Sequence, residues 1–200
     1  MSQPLQTSYR FIAPFYDAFL DRATRAVRRR SLERLPDEPA RVFLGGVGTG
    51  LDLPLLPAHH HYVGLDITAA MLAKARPRCA GLDVALVQGD SLALPFADAS
   101  FDCAVLHLIL AVVPQPERCL AETARILKPG GRILLFDKFL RPGQRAPLRR
   151  LASPLVGRIA TRTDVVFEDV LAAVPDLALR TDQPALAGGW FRLIELEKSP

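Results

Sequence analysis

The chain has 200 residues, half of them hydrophobic and 23% charged, with a formal net charge of +4, an ordinary globular balance with apolar material for a full core. The longest apolar run, from Cys103 to Val113 with His107 inside it, is too short to span a bilayer. No signal-peptide pattern opens the chain, and Cys79, Cys103 and Cys119, odd in number and without metal-ligand spacing, read as free thiols of a reducing cytosol.

In chain order, the aromatic-rich start leads into a helical pattern over Tyr16 to Leu35, with Phe15, Phe19, Ala23, Ala26 and Val27 on one side and Pro36 and Pro39 as its stop. Arg41–Gly45 reads as a first strand and Leu51–Leu56 as a helix opening, closed by Pro57. His61–Leu65 is a second strand. Thr68 then caps a helix over Ala69–Arg76. Val84–Gln88 and Phe101–Leu108 are the third and fourth strands, the latter nearly all apolar, as a strand buried on both faces should be. Glu117–Leu127 is a helix with Leu120, Ala121, Ala124 and Leu127 inward. Arg132–Asp137 is a fifth strand after the Pro129-Gly130-Gly131 turn. Strand–helix alternation predicts a parallel sheet with helices on both faces. Beyond Asp137, Pro142, Pro147 and Pro154 cut 140–161 into short helical pieces. Phe167–Val174 reads as a helix, and Leu177–Arg180 and Trp190–Leu196 as strands. The Gly188-Gly189 return predicts a closing hairpin, hence an antiparallel strand at one edge.

Between the first two strands stands Gly46-Val47-Gly48-Thr49-Gly50, and the second strand ends in Asp66. A strand, a glycine turn, a helix and a strand ending in an acid form the layout of a nucleoside-binding unit. Leu51 occupies the place of the third glycine of the dinucleotide pattern, so the turn suits a ligand without a pyrophosphate. Gly89-Asp90 ends the third strand at the sheet's carboxyl edge, where a carboxylate can accept from an exocyclic amine. His107 reads either as a satisfied core histidine or as a base. His59-His60-His61 reads as a loop, since consecutive side chains diverge, and no metal is expected.

With Leu94-Pro95-Phe96, Ser100-Phe101-Asp102 and the run from Ala124 through Lys128-Pro129-Gly130-Gly131 to Leu134, the chain resembles class I S-adenosylmethionine-dependent methyltransferases. The resemblance implies a Rossmann-like, doubly wound α/β fold: a seven-stranded, mostly parallel sheet with the last strand antiparallel and helices on both faces. It implies one domain over 1–200, with lid helices in 1–35, a cofactor-binding core in 41–137 and a substrate-side segment with closing strands in 138–200. It assigns Gly46, Gly48 and Gly50 to the methionine and ribose part of S-adenosyl-L-methionine, and Asp66 to the ribose hydroxyls. Ile67 and Met71 would pack near the adenine, Asp90 and Ser91 would face its amine, and His107 would close the floor near the sulfonium. Tyr16 would act in the lid, with Tyr16 and His107 the catalytic candidates. The family usually has an acid where this chain has Leu44.

The Tyr9, Pro14, Tyr16 and Asp17 arrangement with Val112-Val113-Pro114 is similar to bacterial phosphatidylethanolamine N-methyltransferases and to ubiquinone and menaquinone C-methyltransferases. That implies a lipid or other amphiphilic methyl acceptor. No acid falls between Lys138 and Arg162, where seven basic residues alternate with Leu148, Leu151, Leu155, Val156 and Ile159. The segment reads either as a solvated face or as a contact for an anionic membrane surface, which would make the protein cytoplasmic and peripheral at the inner membrane face. The fourth strand leads into Leu110 to Pro114 without the Asn-Pro-Pro-aromatic turn of enzymes that methylate base amines, so no nucleic-acid partner is expected. A methyltransferase of a soluble metabolite and a non-catalytic cofactor-binding regulator are the alternatives.

Overall fold

The computed structural model describes residues 22–140 and 165–200. Residues 22–32 are helical (α1). They are followed by β1 (Arg41–Gly45), a 3-10 turn at Leu53–Leu55, β2 (His61–Asp66), α2 (Ala69–Ala75) with a 3-10 extension at Arg76–Cys79, and β3 (Asp83–Gln88). Then come β4 (Phe101–His107), α3 (Pro116–Ile126), β5 (Leu127–Lys138), α4 (Phe167–Ala172), β6 (Leu177–Leu186) and β7 (Phe191–Lys198). The sheet has seven strands in the order β3-β2-β1-β4-β5-β7-β6. β1 to β5 are parallel, and β7 runs antiparallel to both β5 and β6. The closing hairpin is present, with the antiparallel strand held between β5 and the outermost β6.

β1 is buried on both faces because each face carries its own apolar layer. Phe43 packs with Phe101, Leu106, Leu120 and Phe167 on the α3 and α4 side. Val42 and Leu44 pack with Leu32, Leu53, Tyr62 and Val105 on the α1 and α2 side. The connections after β1 and β4 leave toward opposite neighbours, so the carboxyl ends of β2, β1 and β4 border a crevice at the topological switch point.

Several local expectations change, β5 for one beginning at Leu127 rather than Arg132. The segment after the glycine turn forms only the 3-10 turn Leu53–Leu55, because Pro54 and Pro57 leave no room for a longer hydrogen-bonded helix. Ala121 is exposed, and the inward face of α3 is instead Cys119, Leu120, Thr123, Ala124 and Ile126. Ala23 and Ala26 of α1 are also exposed, while Thr24, Val27, Arg28, Ser31 and Leu32 are buried. The expectations for Phe15 and Phe19, for residues 1–21 including Tyr9 and Tyr16, and for 141–164 of the basic segment lie outside the described residues.

Candidate active site

The glycine turn is fixed from several directions. Val47 N donates to Leu65 O at 2.9 Å and Gly50 N to Val47 O at 2.9 Å, so the chain reverses at once after β1. Arg78 reaches back from the end of α2 and donates to Thr49 O at 2.6 Å. The glycines are not equivalent. A Cβ on Gly46 would stand 2.6 Å from Ile109 Cδ1, and one on Gly50 would stand 2.7 Å from Leu53 Cδ1 and 3.0 Å from Ala75 Cβ. A Cβ on Gly48 would meet only Gly46 O, at 3.8 Å. Gly48 (φ +56°) therefore faces open space, whereas Gly50 (φ +80°) faces the packing beneath the turn.

Asp66 ends β2 beside this turn. Its Oδ2 accepts from Gly48 N at 3.0 Å and its Oδ1 from Thr68 N at 2.9 Å, while its own carbonyl accepts from Gly89 N at 3.0 Å. One carboxylate thus joins the β1 turn to the start of α2 and keeps lone pairs for further donors. Burial pushes its pKa above the usual carboxylate range, and the Thr68 and Gly48 amides oppose that rise. Ile67, next in the chain, leaves 56% of its surface exposed, an apolar face at the crevice edge. Met71, one turn into α2, is half-buried. Asp90 is exposed and Ser91 buried; Asp90 Oδ1 accepts from Leu92 N at 2.9 Å in a tight Asx turn.

His107 ends β4. Its neighbour Leu106 is in register with Gly45, which puts His107 beside Gly46. The ring is buried, with Nδ1 3.0 Å from Asp52 Oδ1, Nε2 2.9 Å from Ser31 Oγ, and an edge contact to Phe136 at 5.9 Å. Nδ1–H donates to Asp52, and Nε2 pairs with the Ser31 hydroxyl, which can donate or accept to match the ring. Arg28 donates to the same Asp52 oxygen at 3.4 Å, and its Nε donates to Thr24 Oγ1 at 3.0 Å. The structure thus brings His107 into a network that ties α1 to the glycine turn. Both ring nitrogens are engaged and the side chain is 3% exposed. Burial works to raise the Asp52 carboxyl, but the charges and hydrogen bonds of His107 and Arg28 hold it below its usual range.

Asp137, at the end of β5, is a second buried acid at this edge. Its oxygens accept from Ala111 N at 3.0 Å and Lys138 N at 2.8 Å, so it grips the loop that follows β4. Burial pushes its pKa up to about 6 against those amides. Arg28, Ser31, Asp52 and Asp137 were not among the residues singled out from the sequence. A signal existed for two of them: Thr24, Arg28 and Ser31 fall at helical spacing on one stripe of α1.

Two motifs that carry the family resemblance lie at the opposite edge of the sheet or on its flank. Asp102 accepts from Arg41 N at 2.8 Å and Lys128 Nζ at 2.6 Å, closing the amino ends of β1, β4 and β5. Glu122 accepts from Leu94 N at 2.8 Å, while Arg125 donates to the carbonyls of Leu94 and Phe96 and to Asp98. The Leu94-Pro95-Phe96 loop is thereby clamped to α3. In the histidine run, His60 is buried and accepts from Ala40 N, and His61 pairs with Asp83.

The edge as a whole offers an open glycine backbone, a carboxylate with spare acceptors, an exposed apolar face and a partly exposed second carboxylate at Asp52. These are the groups that a nucleoside joined to a zwitterionic amino acid requires, so S-adenosylmethionine fits the residues present.

A family model described as methyltransferase domain matches residues 45–135. The chain is 30% identical over 188 residues to the phosphatidylethanolamine N-methyltransferase of Cereibacter sphaeroides, covering 92% of each chain. It is 36% identical over 138 residues to the demethylmenaquinone methyltransferase of Thermus thermophilus, covering 63% of this chain and 62% of that protein. The solved structure of an S-adenosylmethionine-dependent methyltransferase from Thermotoga maritima matches with a TM-score of 0.68 at 24% identity, over 95% of this chain and 97% of that one. With its seven-stranded sheet and its carboxyl-edge crevice, this chain belongs to the class I S-adenosylmethionine-dependent methyltransferases and is an enzyme of that family.

Proposed function

We propose that this methyltransferase acts on a lipid or another amphiphilic small molecule, such as a phospholipid amine or a quinone precursor. The observation that carries the reading is the similarity to the phosphatidylethanolamine enzyme through 92% of both chains. In the proposed site, Gly46 and Gly48 line the methionine and ribose part of the cofactor, and Gly50 supports the turn from behind. Asp66 receives the ribose hydroxyls, Ile67 and Met71 flank the adenine, and Asp90 with Ser91 faces its amine. Tyr16, outside the described residues, is the proposed lid residue.

When bound, the cofactor supplies a methyl group on a positively charged sulfur, open to in-line displacement. A neutral amine attacks with its own lone pair, whereas an oxygen or carbon acceptor needs a proton removed. His107 has both ring nitrogens engaged, so its proposed part is to hold α1 and the glycine turn together rather than to take a proton. That favours a nitrogen acceptor. Val112, 44% exposed in the loop after β4, offers apolar surface on the acceptor side. The basic and leucine-rich run 138–162 is the proposed contact with an anionic leaflet, each basic residue contributing about 1 kcal/mol near the surface. Among the described residues no helix is long and apolar enough to cross a membrane.

The test is transfer from methyl-labelled S-adenosylmethionine to separate lipid, quinone and polar-metabolite extracts. The reading expects label in an organic-soluble product. Label confined to the polar extract overturns it.

A further inference from the structure

We infer that Asp52 is a cofactor-binding residue: its carboxylate receives the α-ammonium group of the methionine moiety. The inference rests on the cofactor orientation proposed above and is independent of the methyl acceptor. With the ribose at Asp66 after β2 and the adenine toward Asp90 after β3, the amino-acid end runs the other way along the edge, toward β1 and β4.

Four described acids stand at this edge, and their hydrogen bonds separate them. Asp66 is taken by the ribose in the proposed placement, and Asp137 is 1% exposed with both oxygens on backbone amides. Asp90 stands beyond β3, on the nucleoside side. Asp52 lies on the β4 side of the glycine turn. His107 and Arg28 both engage Oδ1, the side chain retains 19% exposure, and Oδ2 takes part in no hydrogen bond among the described residues. The carboxylate is thus pinned through one oxygen while the other is free for a donor. The end of β1 offers no competitor, because Leu44 is buried in the apolar layer with Val42 and Val105. Among the described residues, a cation that reaches this part of the crevice meets the Asp52 carboxylate, already oriented and held charged by its neighbours.

Calorimetry with two ligands tests the assignment. S-adenosylhomocysteine carries the ammonium group, and 5′-methylthioadenosine ends at the thioether and carries none. Asp52→Asn is expected to weaken S-adenosylhomocysteine binding by roughly tenfold to a hundredfold, the range for a lost charge-assisted hydrogen bond, and to leave methylthioadenosine unchanged. Equal weakening of both ligands, or of neither, overturns the inference, since a carboxylate that merely shapes the turn would act on both alike. The wild-type protein supplies a second measurement that does not depend on the variant's folding. It should bind S-adenosylhomocysteine at least roughly tenfold tighter than the analogue lacking only the amino group, and equal affinities overturn the inference. Asp66→Asn separates this outcome from the orientation reading: it is expected to weaken methylthioadenosine as well, and its failure to do so contradicts the nucleoside placement, whatever Asp52→Asn does.

Discussion

Two carboxylates at one edge of the sheet, half-buried Asp52 and buried Asp137, have pKa values displaced in opposite directions, and their neighbours explain why. Asp52 has a guanidinium and an imidazole against it, whereas the hydrogen bonds to Asp137 come from amides. Burial therefore prevails at Asp137 and its pKa rises to about 6. A folded state that holds this proton more tightly than the unfolded chain loses stability from the group as pH rises from about 4 to about 6, and the loss is complete above that window. Carbon-13 NMR of the Asp137 carboxyl should show its midpoint near 6, and a midpoint near 4 would mean that the amides outweigh burial. The glycines permit a second separation at this scale. Gly50→Ala puts a methyl group against Leu53 and Ala75 at positive φ and should cost about 2–4 kcal/mol of stability. Gly48→Ala has room and should cost about 1 kcal/mol, while blocking the open backbone that the cofactor would approach. Thermal melts with calorimetry on both variants check this. Equal destabilisation would erase the distinction between a packing glycine and a binding glycine.

At the scale of elements, the clamp between α3 and the 94–98 loop has a readable consequence. Glu122→Ala removes the acceptor for Leu94 N and one of the partners of Arg125, and it should cost about 1 kcal/mol. Hydrogen exchange at the Leu94 amide should accelerate in that variant, and unchanged protection would contradict the clamp. Strands and helices with strong periodicity were legible in the sequence. β1 matched residue for residue, because an apolar run ending at a glycine cluster has few other solutions. The segment 51–56 was not legible as a 3-10 turn because its apolar pattern suits either state, and two prolines decide it. The buried face of α1 was misread toward Ala23 and Ala26 because small residues carry little directional signal. Polar Thr24, Arg28 and Ser31 instead face the sheet, where Asp52 and His107 satisfy Arg28 and Ser31. The positions of Asp66 and Asp90 at strand ends could be read from spacing. The companionship of Asp52, His107 and Arg28 joins residues far apart in sequence, and no spacing reports it.

For the whole molecule, the parallel half of the sheet supplies the crevice and the β6–β7 hairpin braces it. Arg34 of the turn after α1 donates to Thr181 and Gln183 of β6 and pairs with Glu195 of β7, so the α1 segment is held at both the hairpin and the crevice. The claim that the acceptor is a lipid amine is tested most directly by comparing labelled-methyl transfer to phosphatidylethanolamine in anionic vesicles with transfer to glycerophosphoethanolamine, the same headgroup without acyl chains. The account predicts label on the vesicle lipid and little on the soluble headgroup; equal labelling of both, or labelling of the soluble headgroup alone, would contradict it.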